Sequence, residues 1–367
     1  MSATDRIARL RARMAEDGLD AMLVLNTERA LSKNVAYYSG FRGTHGYLFI
    51  TSDDAVLATD FRYTEQAAQQ APDYRIVRIT AGGDWFSEIV SASGARNIGF
   101  EDESVTIAAH KALAEKLQAL DPSPELLPTG GMADRLRAVK EPQEIELLER
   151  AIELADQAIE SVGAELRPGM TERDVSWRLE RTMREFGADG ISFDTIVASG
   201  PNGAKAHHKP TDRRLETGDG VVIDMGALYE GYCSDITRTF VLGKASEQFR
   251  KVYDIVLAAQ ETAEATAAAG MTGAEVDGLA RAVIEEAGYG EHFGHSLGHG
   301  IGLAVHEAPG VGPGSPGVIE DGMVFSVEPG IYLTGWGGVR IEDLVVMENG
   351  RPRVLTKAHK RDLVEFQ

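Results

Sequence analysis

The chain has 367 residues, a formal net charge of −20 at pH 7 and a single cysteine, Cys233. At one domain per 100–200 residues, this length predicts two domains. The acidic excess disfavours nucleic acid as a partner, and no apolar run approaches the ~20 residues that a membrane span needs. One cysteine excludes an internal disulfide and is typical of a reducing compartment. We therefore expect a cytoplasmic protein that binds neither nucleic acid nor membrane.

Residues 1–125 alternate helical and strand patterns. Ile7, Leu10 and Met14 recur at helical spacing, and short apolar runs of strand length follow at 21–25, 47–50, 56–58 and 98–100. These patterns predict a small α/β domain. The next stretch, Asp121–Gly131, holds three prolines and two glycines, which favours a connection between domains. We place the linker at 126–140 and a second domain, also of mixed α and β structure, at 141–367.

The second domain contains an internal repeat. Two tripeptides each open a helical pattern that ends in a glycine: Gly169-Met170-Thr171 with Gly187, and Gly270-Met271-Thr272 with Gly288. In both, an acidic residue three positions after the threonine gives the spacing of a capping box. The period is about 100 residues, far too long for a solenoid. Two related halves that share a cleft would explain the repeat, and coincident helix-start chemistry is the other explanation.

After the first repeat helix, two strand patterns carry carboxylates. The runs 221–228 and 231–241 flank Tyr229-Glu230, and a turn centred on these two residues would place Asp224 opposite Asp235. Cβ atoms of an opposed pair are only ~4.5–5.5 Å apart. Two carboxylates at that distance repel each other unless they share a proton or a cation.

The same construction follows the second repeat helix. The runs 324–333 and 339–347 flank a glycine-rich turn centred near Gly335, which would place Glu328 opposite Glu342. A single hairpin carboxylate is usually solvated, but Asp224 and Glu328 both follow apolar strand residues that should be buried, and a buried carboxylate needs a partner. Four such groups form an oxygen-rich set suited to hard divalent ions.

Six of the nine histidines lie in two short stretches of this domain: His207-His208, and His292, His295, His299 and His306. His295 and His299 have the i, i+4 spacing of a zinc-binding helix, but four glycines between 294 and 302 make a helix improbable. Extended backbone that closely approaches a ligand is the better interpretation. One imidazole and four carboxylates could hold two ions ~3.5–4 Å apart, as in two-metal hydrolases. A lone histidine is more often a surface or core group.

Together these segments resemble the pita-bread metallopeptidases, a family that includes methionine aminopeptidase, prolidase, aminopeptidase P and the non-peptidase creatinase. The match is to the prolidase and aminopeptidase P branch, and it is carried by the segments 224–227, 231–240, 294–303, 305–307, 327–332 and 340–343. Segments 38–41 and 59–63 extend it to the N-terminal domain, so it spans nearly the whole chain. The resemblance implies a creatinase-like α/β domain followed by a pita-bread domain with two pseudo-symmetric halves.

Carried over position by position, the resemblance implies a two-metal site whose ligands are Asp224, Asp235, His299, Glu328 and Glu342. Asp235 and Glu342 would bridge both ions, Asp224 would bind one ion, and His299 with Glu328 would bind the other. The expected cofactors are two Mn²⁺ ions, with Co²⁺ or Zn²⁺ as alternatives. The family also implies a homodimer whose N-terminal domains help to wall the partner's cleft.

The resemblance also implies roles around the substrate. Glu328 would carry a proton from water to the leaving proline nitrogen. His207 and His295 match positions near the substrate, and His306 would steady the scissile carbonyl. Arg340 would orient a ligand carboxylate.

The implied activity is removal of an N-terminal residue that precedes proline. Prolidases usually supply an arginine shortly after the segment that matches Val305-His306-Glu307, and this arginine binds the free carboxylate of proline. Residues 308–317 of this chain contain neither Arg nor Lys. We therefore expect an Xaa-Pro aminopeptidase acting on proline-containing peptides, with an Xaa-Pro dipeptidase (prolidase) as the alternative. A creatinase-like amidinohydrolase and a non-catalytic pita-bread module are weaker alternatives, because both would be expected to lack ligands that this chain retains.

Overall fold

The computed structural model describes residues 3–28, 32–361 and 365–366. The chain forms two compact units, Met1–Arg137 and Ala138–Gln367, here called unit 1 and unit 2. The stretch 126–140, which the sequence suggested as a linker, contains a strand and a helix, and most of it belongs to unit 1. Among the described helices, none combines the length and the apolar composition that a bilayer crossing requires.

Unit 1 is a six-stranded mixed sheet flanked by helices. Its strands are β1 (Ala21–Asn26), β2 (Gly46–Thr51), β3 (Ala55–Thr59), β4 (Arg75–Arg78), β5 (Asn97–Phe100) and β6 (Glu125–Pro128), in the order β4-β3-β2-β1-β5-β6. Its helices are α1 (Ala3–Glu16), α2 (Asn34–Ser39), α3 (Thr64–Gln70), α4 (Trp85–Ser93), α5 (Ile107–Gln118) and α6 (Met132–Ala138). Leu23, Phe49 and Phe86 are buried in its core. The predicted α/β character is confirmed.

Unit 2 contains four longer helices and fourteen short strands within its described residues. The helices are α7 (Pro142–Gly163), α8 (Glu172–Glu185), α9 (Glu247–Thr266) and α10 (Gly273–Glu286). The strands are β7 (Gly190–Ile191), β8 (Ile196–Ser199), β9 (Gly220–Met225), β10 (Ala227–Tyr229), β11 (Tyr232–Cys233), β12 (Ile236–Leu242), β13 (Gly298–Gly300), β14 (Glu307–Val311), β15 (Val324–Val327), β16 (Gly330–Leu333), β17 (Gly337–Arg340), β18 (Asp343–Glu348), β19 (Arg351–Val354) and β20 (Glu365–Phe366).

The internal repeat corresponds to two structural halves. Helices α8 and α10 are each 14 residues long, and each begins with a complete capping box, formed by Thr171 with Asp174 and by Thr272 with Glu275. In the first half, α7 and α8 accompany the sheet β20-β12-β9-β8; in the second half, α9 and α10 accompany the sheet β14-β13-β15-β18-β19. The prediction of two related halves is confirmed.

The two hairpins differ in how well their register was predicted. In the second half, Val327 pairs with Asp343 and Gly330 pairs with Arg340, so the register runs through Glu328 opposite Glu342, as expected. In the first half the prediction is wrong, because Asp224 pairs with Thr237. The turn is centred one residue later than predicted, on Glu230 (φ 49°) and Gly231 (φ 85°). Two left-handed residues in succession suit the twist of a two-residue hairpin.

Asp235 consequently falls opposite Gly226, where the ladder between the two strands is interrupted. It lies two residues before Thr237, so both side chains are on the face that also carries Asp224. The two carboxylates are diagonal neighbours, not a directly opposed pair.

The C-terminal segment returns from the second half to the first. Ala358 is buried in the core of the first half, and Arg238 Nη2 donates a hydrogen bond to Ala358 O at 2.6 Å. Lys360 forms ion pairs with Asp343 and Glu264. Strand β20 then adds to the first-half sheet in parallel with β12.

Gly226 provides a test of the first-half hairpin, in which it lies opposite Asp235. A Cβ atom at position 226 would lie 1.9 Å from Ser234 O. Because Ser234 O is a backbone atom, the clash could be relieved only by moving the backbone. We expect Gly226→Ala to lower the free energy of unfolding by about 3 kcal/mol or more, the upper end for overpacking, and to lower metal content. Denaturant unfolding of the metal-free protein measures the first effect.

The control is Gly278→Ala in α10, where the added Cβ meets nothing within 4 Å. An alanine there should stabilise the helix by up to about 1 kcal/mol. A Gly226→Ala protein as stable as the parent would contradict the described packing of β9 against the segment before β12.

Candidate metal centre

All five expected metal ligands line one cavity of about 590 Å³ in unit 2. Asp224 is in β9, Asp235 lies between β11 and β12, and His299 is in β13. Glu328 directly follows β15, and Glu342 lies between β17 and β18. Each half therefore contributes carboxylates from within or directly beside its strands, and such positions hold side chains more rigidly than long loops do.

Asp235, His299 and Glu342 form the tightest group. Each offers one ligand atom, and these three atoms all lie within 4.8 Å of one another. His299 Nε2 is 3.7 Å from Asp235 Oδ2 and 3.4 Å from Glu328 Oε1. The other ring nitrogen, Nδ1, donates to Gly300 O at 3.1 Å. This bond leaves the lone pair on Nε2 directed at the carboxylates, the arrangement usual for a metal-binding imidazole.

Two buried carboxylate oxygens at the centre have no hydrogen-bond partner among the described residues: Asp224 Oδ1 and Glu342 Oε1. The second oxygen of each group is held, since Asp224 Oδ2 accepts from Arg340 Nη2 at 2.6 Å and Glu342 Oε2 accepts from Thr237 Oγ1 at 2.8 Å. Leaving a buried charged oxygen unpaired is costly. Four carboxylates and one imidazole, with open oxygens facing the cavity, fit a pair of divalent ions.

Arg340 connects the ligands to their surroundings. Its Nε donates to Thr237 Oγ1 at 3.0 Å, and its Nη1 donates to Tyr332 Oη at 2.8 Å. Thr237 thereby joins Arg340 to Glu342. Arg340 also contacts Asp224 directly, through the hydrogen bond described above. Arg340 is 2% exposed, so its charge acts on these carboxylates with little screening by solvent.

The protonation of the centre follows from burial and crowding. Burial, together with the neighbouring carboxylates, raises the pKa of Asp235 and of Glu342 well above their ordinary values. Burial raises the pKa of Glu328 to about 7, against the opposing effect of Arg340. Burial lowers the pKa of His299 to about 4, so the imidazole stays neutral and able to bind a metal at physiological pH. The raised pKa values of Asp235, Glu328 and Glu342 therefore favour their protonated forms when no cation is bound.

The other expected histidines have different surroundings. His207 and His306 line the cavity, and the His306 ring lies 4.2 Å from the His299 ring, centroid to centroid. His295 also lines the cavity, but both of its ring nitrogens are engaged. Its Nδ1 donates to Ser296 O at 2.8 Å, and its Nε2 accepts from Tyr332 Oη at 2.9 Å. A direct hydrogen bond from His295 to a substrate would require one of these bonds to break.

Sequence reasoning did not single out three polar residues that support the proposed ligands, directly or through Arg340: Thr237, Ser326 and Tyr332. Ser326 Oγ donates to Glu328 Oε1 at 3.2 Å. The signal that could have found two of them is the strand period of two, because Thr237 lies two residues after Asp235 and Ser326 lies two residues before Glu328. Tyr332 acts through Arg340 and His295, and no local spacing indicates that contact.

Comparison with known proteins agrees with this geometry. Residues 146–349 match the model of metallopeptidase family M24, and residues 6–139 match the creatinase/prolidase N-terminal domain. The chain therefore belongs to metallopeptidase family M24. It is a metallo-exopeptidase with a creatinase-type N-terminal domain and a pita-bread domain, as the sequence predicted.

Several similar proteins are named for activity on Xaa-Pro substrates. A solved structure named Xaa-Pro dipeptidase from Bacillus anthracis is 43% identical, with a TM-score of 0.92 over 100% of both chains. An X-Pro aminopeptidase from Thermotoga maritima is 39% identical, with a TM-score of 0.88 over 98% of this chain and 99% of that one. The Xaa-Pro dipeptidase of Pyrococcus furiosus is 38% identical over 97% of this chain and 99% of the relative.

The raised carboxylate pKa values predict that metal uptake releases protons. In the metal-free protein, Glu328 titrates at about 7 and Asp235 and Glu342 titrate above their ordinary values. An incoming ion must displace these protons, so affinity should fall as the pH drops through 7 and rise above it. Calorimetric titration with Mn²⁺ in buffers of different ionisation enthalpy measures the protons released.

We expect more protons to be released at pH 6 than at pH 8, and fewer in Glu328→Gln than in the parent protein at pH 7. An Mn²⁺ affinity that stays flat between pH 6 and 8, with an enthalpy independent of the buffer, would show that the described crowding does not control protonation.

Proposed function

We propose that this protein is an Xaa-Pro dipeptidase that uses two divalent ions. The observation that carries the proposal is the cluster of Asp235, His299 and Glu342 at a cavity of about 590 Å³, in a chain whose full-length relatives include Xaa-Pro dipeptidases. The sequence alone favoured an Xaa-Pro aminopeptidase, with the dipeptidase as the alternative. The names of the relatives support the alternative better.

The proposed ligand arrangement follows the family resemblance. Asp235 and Glu342 would contribute to both ions, Asp224 would hold one of them, and His299 with Glu328 would hold the other. Oxygen ligands with a single nitrogen and no sulfur suit Mn²⁺, with Co²⁺ or Zn²⁺ as alternatives. The two ions would supply Lewis-acid activation of the scissile carbonyl and of the attacking water.

The protein's own groups then handle protons and charge. Glu328, which lines the cavity, is placed to accept a proton from water and pass it to the leaving proline nitrogen. His306 faces the cavity beside His299 and can donate a hydrogen bond to the oxygen of the scissile carbonyl as negative charge develops there. Arg340 holds one oxygen of Asp224 and leaves the other for an ion.

The wall that meets the proline carboxylate is the point on which the two candidate activities differ. Among the described residues that line the cavity, Arg340 is the only arginine or lysine, and it is engaged with Asp224. This observation favours the aminopeptidase as the second candidate, because a dipeptidase must neutralise a carboxylate at the proline itself. In the cytoplasmic homodimer that we propose, Arg42 of the partner subunit or Arg62 of the partner subunit could supply the missing charge.

Metal content tests the ligand assignment. Asp235→Ala should lose both ions and Asp224→Ala only one, because a bridging carboxylate serves two ions. Elemental analysis of the purified variants after dialysis gives the stoichiometry, and Glu185→Ala, on the exposed face of α8, is the matched control. Full double occupancy in Asp235→Ala would remove Asp235 from its bridging role.

Substrate length tests the activity. We expect kcat/KM for Xaa-Pro dipeptides to exceed that for Xaa-Pro-Yaa tripeptides by about tenfold, or ~1.4 kcal/mol of transition-state binding. Xaa-Ala dipeptides serve as the control for the proline requirement and should be poor substrates. Tripeptides cleaved tenfold faster than dipeptides would establish the aminopeptidase instead, and cleavage of neither class by the Mn²⁺-loaded enzyme would refute both.

A further inference from the structure

Glu172, the first residue of α8, lies outside the ligand set but is completely buried, with 0% exposure. Its carboxylate accepts six hydrogen bonds, all from the segment 199–211. Oε1 accepts from Ser199 N at 2.9 Å, Ser199 Oγ at 2.7 Å and Asn202 Nδ2 at 3.0 Å. Oε2 accepts from Thr211 N at 3.0 Å, Thr211 Oγ1 at 2.6 Å and His208 Nε2 at 2.9 Å. One side chain thus fixes both ends and the middle of this segment, here called the 199–211 loop.

The 199–211 loop forms part of the cavity wall. Ala206 and His207 line the cavity that holds the proposed ligands, and Ala206 O accepts a hydrogen bond from Arg340 Nη1 at 3.3 Å. The loop also packs tightly on β17, since a Cβ atom on Gly203 would lie 2.9 Å from Gly338 N. Anything that shifts the loop therefore moves His207 and a contact of Arg340.

We propose that Glu172 is a positioning residue of the active site, which holds His207 at the substrate side of the cavity through the 199–211 loop. The expected effect of Glu172 on turnover rests on the proposed function. The expected effect of Glu172 on the 199–211 loop does not. Such a role for a buried acid explains why a charged residue occupies a fully enclosed position, where an unpaired charge would be costly.

The geometry requires a carboxylate. Each oxygen accepts from one backbone N–H group, at Ser199 on one side and at Thr211 on the other, and a backbone N–H cannot turn into an acceptor. A glutamine would direct its own N–H₂ at one of these donors whichever way the amide faced. Although burial alone would raise it, hydrogen bonds from Thr211, Asn202 and Ser199 lower the pKa of Glu172 to about 2. The group is therefore charged at neutral pH.

The second half has a parallel construction. Asp277 of α10, the helix that corresponds to α8, is 1% exposed, and its Oδ1 accepts from Leu297 N at 2.9 Å. It also pairs with Arg281, whose Nη2 donates to His295 O at 2.9 Å. In each half, then, a buried acid on the second helix holds a loop that carries a histidine of the cavity wall. The two acids occupy different positions in their helices, since Glu172 directly follows the N-cap Thr171 and Asp277 lies one turn beyond Gly273, the residue that follows the N-cap Thr272.

A double-mutant cycle in the Mn²⁺-loaded enzyme tests the proposal. Glu172→Gln should keep the metal content of the parent, because it touches no proposed ligand, and should lower kcat/KM on the order of 10²-fold, as expected for a displaced contact group. In the His207→Ala background, the same substitution should cost far less. The matched control, Glu185→Gln, changes an exposed carboxylate on the same helix and should leave activity unchanged. Equal losses with and without His207 would overturn the proposal.

Two further measurements keep the result interpretable. Amide hydrogen exchange at Ser199 and Thr211 should accelerate in Glu172→Gln, while exchange in β9 and β12 should not. This readout needs no substrate, so it judges the loop even if no Xaa-Pro peptide is cleaved and the proposed function fails. If Glu172→Gln does not fold, Asn202→Ala removes a single donor to Glu172 and should lower kcat/KM in the parent but not in His207→Ala. An Asn202→Ala enzyme with parental kcat/KM would overturn the positioning role.

Discussion

Four carboxylates converge on one cavity in unit 2, and their mutual repulsion is the constraint that the rest of this unit must satisfy. Asp235 and Glu342 bind protons far more readily than ordinary carboxylates do, because burial and neighbouring charge both oppose ionisation. Arg340 offsets part of the repulsion through its contact with Asp224. The remaining open oxygens on Asp224 and Glu342 suit the binding of divalent cations, which would relieve the repulsion.

The free energy needed to hold these carboxylates together is offset by the burial of apolar residues in the strands beside them. Val222 and Ile223 precede Asp224 in β9, and Val324, Phe325 and Val327 precede Glu328, all almost fully buried. Alternation along each strand directs Ile223, Phe325 and Val327 into the core of their half, and it directs Asp224 to the opposite face, toward the cavity. Because two such sheets face the same cavity, neither half holds the complete ligand set. The hydrogen bonds from Thr237 to Glu342 and from Arg340 to Asp224 then join the two halves at the cavity.

The sequence predicted the fold well where local chemistry determines it. The capping boxes at Thr171 and Thr272 and the turn at Gly335 depend on residues a few positions apart, so their patterns are readable in the chain. The first hairpin was misjudged because its turn uses Glu230 and Gly231 in left-handed conformations; Gly231 was the available signal, since glycine adopts this conformation without strain.

The family resemblance brought the five proposed ligands to notice, and the structure places all five at one cavity, but the residues that support them could not be predicted. From the sequence, Glu172 is only an acidic residue in a first helical turn, a common feature because the helix dipole stabilises negative charge there. Its six hydrogen bonds reach residues 27 to 39 positions away along the chain. Contacts at that separation depend on how the loop packs against β17, which no period or spacing in the sequence encodes.

The path of the C-terminal segment has a consequence for how the protein is made. Ala358 completes the core of the first half, and β20 extends the sheet that begins more than 160 residues earlier with β8. On the ribosome, the first half emerges long before the residues that finish it, so it must wait with its sheet and core incomplete. The core and the sheet of the first half are therefore completed only by residues from beyond the second half, although each half resembles a self-contained repeat.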